Sequence, residues 1–239
     1  MRWLRRYVAF LPFVAMSFVH VTLLFIESPI AGPTKLWLMP LLALGVLSTS
    51  TGIHPWPWPA MSLVIGAIGF SWLGDGSATF FPMFDDELPM MLACFGLAHV
   101  VYVLIMWRVR GVSRGGFPLW SVIYAVAYAV LMVLLVPHTG SLTIPVMLYG
   151  LLLVATAAFA SRCGKTIAWG GAWFFVSDAI LAFRLFRPEI MPDWTNPAVM
   201  LTYCLGQGLL VYGIFVALRK RSLVTGLVEE LQEPRRSTR

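Results

Sequence analysis

Two aspartates lie inside long apolar segments of this chain, where a carboxyl group is costly. Asp75 occurs in GAIGFSWLGDG and Asp178 occurs in AWFFVSDAILAF. Ionisable residues within membrane-spanning segments usually face the interior of the helix bundle and mark functional sites. A carboxyl group in apolar surroundings is favoured in its protonated form, whereas one beside polar groups stays ionised. The pair therefore predicts proton chemistry on a lipid-like substrate, with one carboxyl group as acid and the other as base.

The composition is that of a membrane protein. Of the 239 residues, 59% are hydrophobic and 12% are charged, whereas soluble domains carry about 25% charged residues. A spanning helix needs about 20 apolar residues, so the chain has room for about eight spans and no separate soluble domain. The net charge of +6 does not indicate nucleic-acid binding, because the basic residues lie between apolar segments, where they set topology.

Apolar runs that are interrupted by proline, glycine and charge predict the helices. The predicted spans are Tyr7–Ile26, Lys35–Ser50, Ala60–Phe81, Leu88–Trp107, Phe117–Val136, Leu142–Ala160, Ile167–Phe186 and Ala198–Leu218. The predicted fold is therefore all-α: a polytopic membrane helix bundle in residues 1–221 and a short cytoplasmic tail in residues 222–239. The first run is longer than the apolar core of a signal peptide, so we expect it to be retained as a span.

Charge asymmetry orients the predicted bundle. Basic residues cluster at one end: Arg2, Arg5, Arg6, Arg108, Arg110, Arg114, Arg162, Lys165, Arg219, Lys220 and Arg221. Acidic loop residues cluster at the other: Glu27, Asp85, Asp86, Glu87, Glu189 and Asp193. Because cytoplasmic loops carry the excess of lysine and arginine, both termini are predicted to be cytoplasmic. The predicted location is the cell membrane, as a multi-pass protein.

Polar side chains of several predicted spans fall at one depth when residues are counted inward at about 1.5 Å each. They are Asp178, His99, Tyr128, Tyr203 and Gln207, joined by Asp75 if its helix continues to Phe81. Side chains that line one cavity need a common depth, whereas scattered polar residues do not. Lys35 and Arg184 lie near the outer helix ends, so we expect no basic partner at the depth of either aspartate.

The same polar residues are also compatible with alternative roles. Midplane acidic groups suit a proton-coupled transporter or a lipid-binding membrane protein. Two membrane aspartates also occur in intramembrane aspartyl proteases, although Trp72 stands where such proteases have a glycine. A Ser71–His99–Asp178 triad and a structural role for both aspartates are further alternatives. The cysteines, Cys94, Cys163 and Cys204, are interpreted as small packing residues.

Five sequence blocks together resemble the YhhN-type lysoplasmalogenase family. They are TKLWLMPLL (34–42), FSWLGD (70–75), FGLAHVVY (95–102), GGAWFFVSDAILA (170–182) and YCLGQGLL (203–210). Their order and spacing agree with the family from about the second predicted span to the eighth. The resemblance implies an eight-span membrane hydrolase that cleaves the vinyl ether bond of lysoplasmalogens, giving a fatty aldehyde and a glycerophospho-alcohol.

The resemblance also implies roles for individual residues. The catalytic aspartates correspond to Asp75 and Asp178, and the other motif positions correspond to Lys35, His99, Tyr102, Ser177, Tyr203 and Gln207. Vinyl ether hydrolysis needs a proton donor and a carboxylate that stabilises an oxocarbenium ion. Glycosidases use two carboxyl groups in the same way on a related cation. The aromatic residues before Asp178 favour it as the acid, but either assignment is open, and Lys35 is the candidate for binding a phosphate. No metal or organic cofactor is required, and the expected partner is a lysophospholipid-like substrate within the membrane.

Overall fold

The computed structural model describes residues 8–50, 58–109, 111–113 and 115–232. Within these residues the protein is all-helical and contains no strand. The long helices are α1 (Leu11–Phe25), α2 (Ala31–Ser50), α3 (Trp58–Asp75), α4 (Leu88–Arg108), α5 (Val122–Leu135), α6 (Thr143–Ser161), α7 (Lys165–Phe186) and α8 (Thr195–Gln232). A one-turn helix (Ser77–Phe80) and short 3-10 turns lie between them.

The long helices occupy the predicted apolar runs, and six segments are long and apolar enough to cross a membrane. These are Ala31–Ser50, Leu88–Arg108, Leu119–His138, Gly140–Ser161, Lys165–Phe186 and Thr195–Thr225. Helix α1 is apolar but shorter, and α3 carries a proline and Asp75 at its two ends. Six candidate spans are therefore established, while eight spans and cytoplasmic termini stay predictions.

The C-terminal ends of two helices differ from the prediction by more than one residue. Helix α3 ends at Asp75 rather than continuing to Phe81, because the helical conformation is interrupted at Gly76 before the one-turn helix begins. Helix α8 continues to Gln232, so the segment after residue 221 begins as helix rather than as a frayed tail. The basic residues Arg2, Arg5 and Arg6, and most of the proline-rich segment HPWPWP, lie outside the described residues.

Seven of the long helices in the described part of the chain form a closed ring. Neighbours around it pack in the order α1, α2, α3, α4, α6, α7, α8 and back to α1. Helix α5 lies outside this ring, against α6 and α7. Only 11% of the apolar stretch at α5 is buried, compared with 67% at α8. The ring therefore has an interior to which α5 does not contribute.

Glycines allow α7 and α8 to approach more closely than side chains would permit. A Cβ atom on Gly170 would lie 2.5 Å from the Leu210 nitrogen, and one on Gly206 would lie 2.7 Å from the Phe174 nitrogen. Small residues at helix contacts are typical of membrane bundles. This contact fixes the relative positions of the two helices that carry Asp178 and Tyr203.

A proline determines how α2 docks on α3. In an α-helix the residue at position 40 would donate its N–H to the carbonyl of Leu36, but Pro40 has no N–H. The indole Nε1 of Trp72 donates to that carbonyl instead, at 2.9 Å. Because unpaired backbone groups are costly in a bilayer, this hydrogen bond holds the Lys35 end of α2 against the Asp75 end of α3.

Candidate functional site

The ring encloses a cavity of about 200 Å³ that both aspartates line. Every ring helix contributes to its wall. The lining residues are His20 and Leu24 from α1; Ala31, Gly32 and Lys35 from α2; Asp75 from α3; Met91, Leu92 and Phe95 from α4; Tyr149 from α6; Ser177, Asp178 and Leu181 from α7; and Asn196, Val199, Met200 and Tyr203 from α8. The prediction that Asp75 and Asp178 face a common hollow agrees with this geometry.

Asp75 is held by a cation and by a phenol. Its Oδ1 lies 3.5 Å from Lys35 Nζ, and the two side chains are 2% and 30% exposed respectively. Its Oδ2 accepts a hydrogen bond from the Tyr203 hydroxyl at 2.7 Å. The expectation that no basic residue reaches the aspartates is therefore wrong for Asp75. Counting depth from the backbone ignored the length of the lysine side chain, which reaches inward from the end of α2.

Asp178 has a different set of neighbours, with no lysine or arginine among the ion pairs of the described residues. Its Oδ2 accepts a hydrogen bond from the Tyr149 hydroxyl and lies 3.7 Å from His99 Nε2. The same His99 nitrogen lies 3.3 Å from the Tyr149 oxygen. The other imidazole nitrogen of His99, Nδ1, lies 3.0 Å from the Thr156 hydroxyl. Asp178, Tyr149 and His99 thus form one compact cluster.

A third buried chain of hydrogen bonds ties three helices together beside the cavity. Tyr102 donates to Gln207 Oε1 at 2.6 Å, and Gln207 Nε2 donates to the Ser71 hydroxyl at 2.8 Å. None of the three residues is exposed, and none lines the cavity. The structure therefore assigns Tyr102 and Gln207 to positioning α3, α4 and α8. Ser71 is bonded to Gln207, and the two His99 nitrogens have other partners, so the described residues lack the serine–histidine hydrogen bond of a Ser71–His99–Asp178 triad.

Of the two remaining predicted substrate-binding residues, Ser177 lies at the site and Tyr128 lies outside it. Ser177 lines the cavity and donates its hydroxyl to the Val199 carbonyl at 3.0 Å, which links α7 to α8. Tyr128 lies on α5 and donates to the Met147 carbonyl at 3.0 Å. The inclusion of Tyr128 in the site is wrong, because equal depth along a helix does not place that helix in the ring.

Two further residues lie at the site that the sequence pattern did not indicate. Tyr149 bonds both Asp178 and His99, yet in the sequence it is a single tyrosine in an apolar run. His20 lines the cavity from α1, and it is 2% exposed. For both residues the available signal was an aromatic side chain with a hydrogen-bonding atom inside an apolar segment.

The described residues contain no group of three histidine, cysteine, aspartate or glutamate side chains arranged to hold a metal ion. The three cysteines are buried, as predicted for packing residues, and none forms a disulfide bond within the described part of the chain. Asp85, Asp86 and Glu87 are exposed in the loop before α4.

Comparison with known proteins identifies the family. A family model described as the YhhN family matches residues 32–214 of the 239. The match spans both aspartates and their partners Lys35, Tyr149 and Tyr203, and it begins after α1. No curated protein and no solved structure matches the chain. The match covers most of the chain and agrees with the motif resemblance, and the chain belongs to the YhhN family.

Proposed function

We propose that this protein hydrolyses the vinyl ether bond of lysoplasmalogen-like lipids. Family membership is consistent with a membrane hydrolase. The observation that carries the proposal is the pair of buried carboxyl groups on one cavity, with Asp75 beside a lysine and Asp178 without one. Different surroundings keep two carboxyl groups in different protonation states, which is the arrangement that combined acid and base chemistry requires.

The donors and acceptors around His99 and Tyr149 favour Asp178 as the acid. Thr156 donates its hydroxyl proton to the Leu152 carbonyl at 2.9 Å, so its oxygen accepts from His99 Nδ1–H, and Nε2 of the neutral ring is an acceptor. If Asp178 were ionised, its carboxylate and His99 Nε2 would compete for the single Tyr149 proton. Protonation of Asp178 reverses the direction of its hydrogen bond with Tyr149: Asp178 then donates to Tyr149, Tyr149 donates to His99, and every group is satisfied.

Asp75 is the ionised partner. Lys35 compensates its charge, and Tyr203 donates to it, and both interactions favour a carboxylate. In the reaction, Asp178 transfers its proton to the β-carbon of the vinyl ether, and the ether carbon becomes an oxocarbenium ion. The Asp75 carboxylate stabilises this cation and takes a proton from the water that adds to it. The hemiacetal then breaks down to a fatty aldehyde and a glycerophospho-alcohol, and a proton returns to Asp178.

The two ends of an amphiphilic substrate have matching surroundings. The cavity mouth carries Lys35 and Asn196, which provide a positive charge and an amide for a phosphate and glycerol. At about 200 Å³ the cavity is smaller than the ~300–1,000 Å³ of sites that enclose a whole drug-sized ligand. The alkyl chain therefore lies elsewhere. An apolar groove of about 320 Å³ runs between α1 and α8 and includes Cys204, the residue after Tyr203.

The cavity opens at the end of the bundle that carries the acidic loops. Its outer lining residues include Leu24 near the end of α1, Gly32 near the start of α2 and Asn196 near the start of α8. Under the positive-inside rule this end faces away from the cytoplasm. The substrate therefore enters from the outer side of the cell membrane.

The test uses detergent-purified protein, a lysoplasmalogen and its saturated ether analogue. The saturated analogue has no double bond to protonate, so we expect aldehyde from the first substrate only. In D₂O the aldehyde should carry a single deuterium on the carbon next to its carbonyl, because the acid protonates that carbon. No aldehyde from the vinyl ether, or aldehyde without deuterium at that carbon, would contradict the proposal.

A further inference from the structure

A histidine on α1 lies in the wall of the cavity with one ring nitrogen unpaired. His20 lines the cavity and is 2% exposed. Its Nδ1 lies 2.9 Å from the Thr34 hydroxyl. Its Nε2 is buried without a hydrogen-bond partner among the described residues. Because leaving a buried polar atom unpaired is costly, this nitrogen indicates a ligand group.

The Thr34 contact fixes which kind of group Nε2 can bind. Thr34 donates its hydroxyl proton to the Ala31 carbonyl at 2.7 Å, so its oxygen is an acceptor and His20 Nδ1 carries the proton. The neutral ring then presents Nε2 as an acceptor. A second proton would place a positive charge on a buried ring in the wall of a cavity that Lys35 also lines. His20 therefore requires a donor from the ligand.

In a lysolipid the donor is the free hydroxyl of the glycerol. A lipid with an acyl or alkyl group on that oxygen offers His20 only lone pairs. A site built to bind a hydroxyl rejects an analogue that lacks one, because its own polar group is left unpaired. Hydrophobic contacts with the alkyl chain cannot make this distinction.

We propose that His20 Nε2 accepts a hydrogen bond from the free glycerol hydroxyl and thereby selects lipids with one chain. This inference rests on the proposed function for the identity of the substrate. The family match begins at residue 32, so the residue that makes the selection lies on a helix outside the matched region. Thr34, which sets the tautomer, lies inside it.

The test compares two vinyl ether substrates that differ only at this oxygen, one with a hydroxyl and one with a methoxy group. The wild-type protein should prefer the hydroxyl substrate in kcat/KM by about tenfold, which is the effect of about one lost hydrogen bond. His20→Gln keeps an acceptor near the position of Nε2 and should keep the preference. The shorter side chain of His20→Asn places a polar atom only near the position of Nδ1, and His20→Phe has no acceptor. Both variants should therefore lose the preference.

Binding of the saturated ether versions of the two lipids gives a readout that needs no hydrolysis. A binding preference that His20→Asn abolishes and His20→Gln retains supports the inference even if no vinyl ether is cleaved, in which case the proposed function alone fails. No preference in the wild-type protein, or a preference of wild-type size retained in His20→Asn and His20→Phe, would overturn the inference. Leu104→Trp, a substitution at a lipid-facing position of α4, is the control and should keep the wild-type ratio.

Discussion

The two aspartates differ in what surrounds them more than in how deeply they are buried. Counted over the whole residue, Asp75 is 9% exposed and Asp178 is 8% exposed, yet Asp75 contacts Lys35 and Asp178 contacts Tyr149 and His99. A lysine supplies a positive charge, whereas a tyrosine supplies only a hydrogen bond. Because the two are almost equally buried, we expect the partner of each carboxyl group to decide whether that group carries a proton.

The largest effects should come from removing either carboxyl group. We expect Asp178→Asn to lower kcat about 10³-fold, because general acid catalysis contributes about 10²–10⁴-fold. Asp75→Asn should lower kcat about 10²-fold, because Asp178 can still protonate the substrate slowly. Steady-state assays of aldehyde release measure both effects. Asp193→Asn, in an exposed loop, is the control and should keep wild-type activity. Wild-type activity in both Asp178→Asn and Asp75→Asn would refute the catalytic account.

The tyrosine beside Asp178 should matter more than a tyrosine of similar depth on α5. Tyr149→Phe removes the group that links Asp178 to His99, and we expect kcat to fall about 30-fold, because two hydrogen bonds of ~0.5–1.5 kcal/mol each are lost. Tyr128→Phe removes a hydrogen bond to the Met147 carbonyl outside the ring. It should leave kcat within about twofold. Equal losses in the two variants would mean that the cluster at Asp178 has no special role.

The ion pair at Asp75 should appear as coupling between its two members. Lys35→Met leaves a buried carboxylate without its cation, so we expect about a tenfold loss of kcat and a lower free energy of unfolding. In the Lys35→Met/Asp75→Asn double variant the carboxylate is gone, so part of the stability should return, by at least ~0.5 kcal/mol. Denaturation of all four proteins in one detergent completes the cycle. Strictly additive effects would show that the pair is not coupled.

The smallest effect concerns the hydrogen bond that docks α2 on α3. Trp72→Phe leaves the Leu36 carbonyl without its donor, and we expect a loss of about 1 kcal/mol in the free energy of unfolding. Pro40→Ala restores a backbone N–H that can donate to Leu36. The double variant should therefore recover most of the loss. A double variant as unstable as Trp72→Phe would contradict this explanation.

The helices of this fold were predictable from the sequence, but their arrangement was not. Apolar runs and proline or glycine breaks located α1 to α8, because a span must be both apolar and long. The runs that form α5 and α6 are both strongly apolar, so nothing in either sequence indicated that only α6 joins the ring. The wrong inclusion of Tyr128 follows directly from this ambiguity.

At the site, the aspartates were predictable and their partners were predictable only in part. A carboxyl group in an apolar run stands out because its burial is costly. Lys35 was recognised as a site residue, but its contact with Asp75 depends on side-chain reach and on the Trp72 hydrogen bond to α2. Tyr149 and His20 gave only weak signals, because tyrosine and histidine in membrane helices also serve as packing residues.

The central claim is that the two carboxyl groups on this cavity are in opposite protonation states near neutral pH. Infrared difference spectra of the purified wild-type protein and of the two asparagine variants test it directly, since a protonated carboxyl group has a C=O band that a carboxylate lacks. We expect this band to disappear in Asp178→Asn and to persist in Asp75→Asn. Loss of the band in Asp75→Asn alone, or in neither variant, would contradict the assignment.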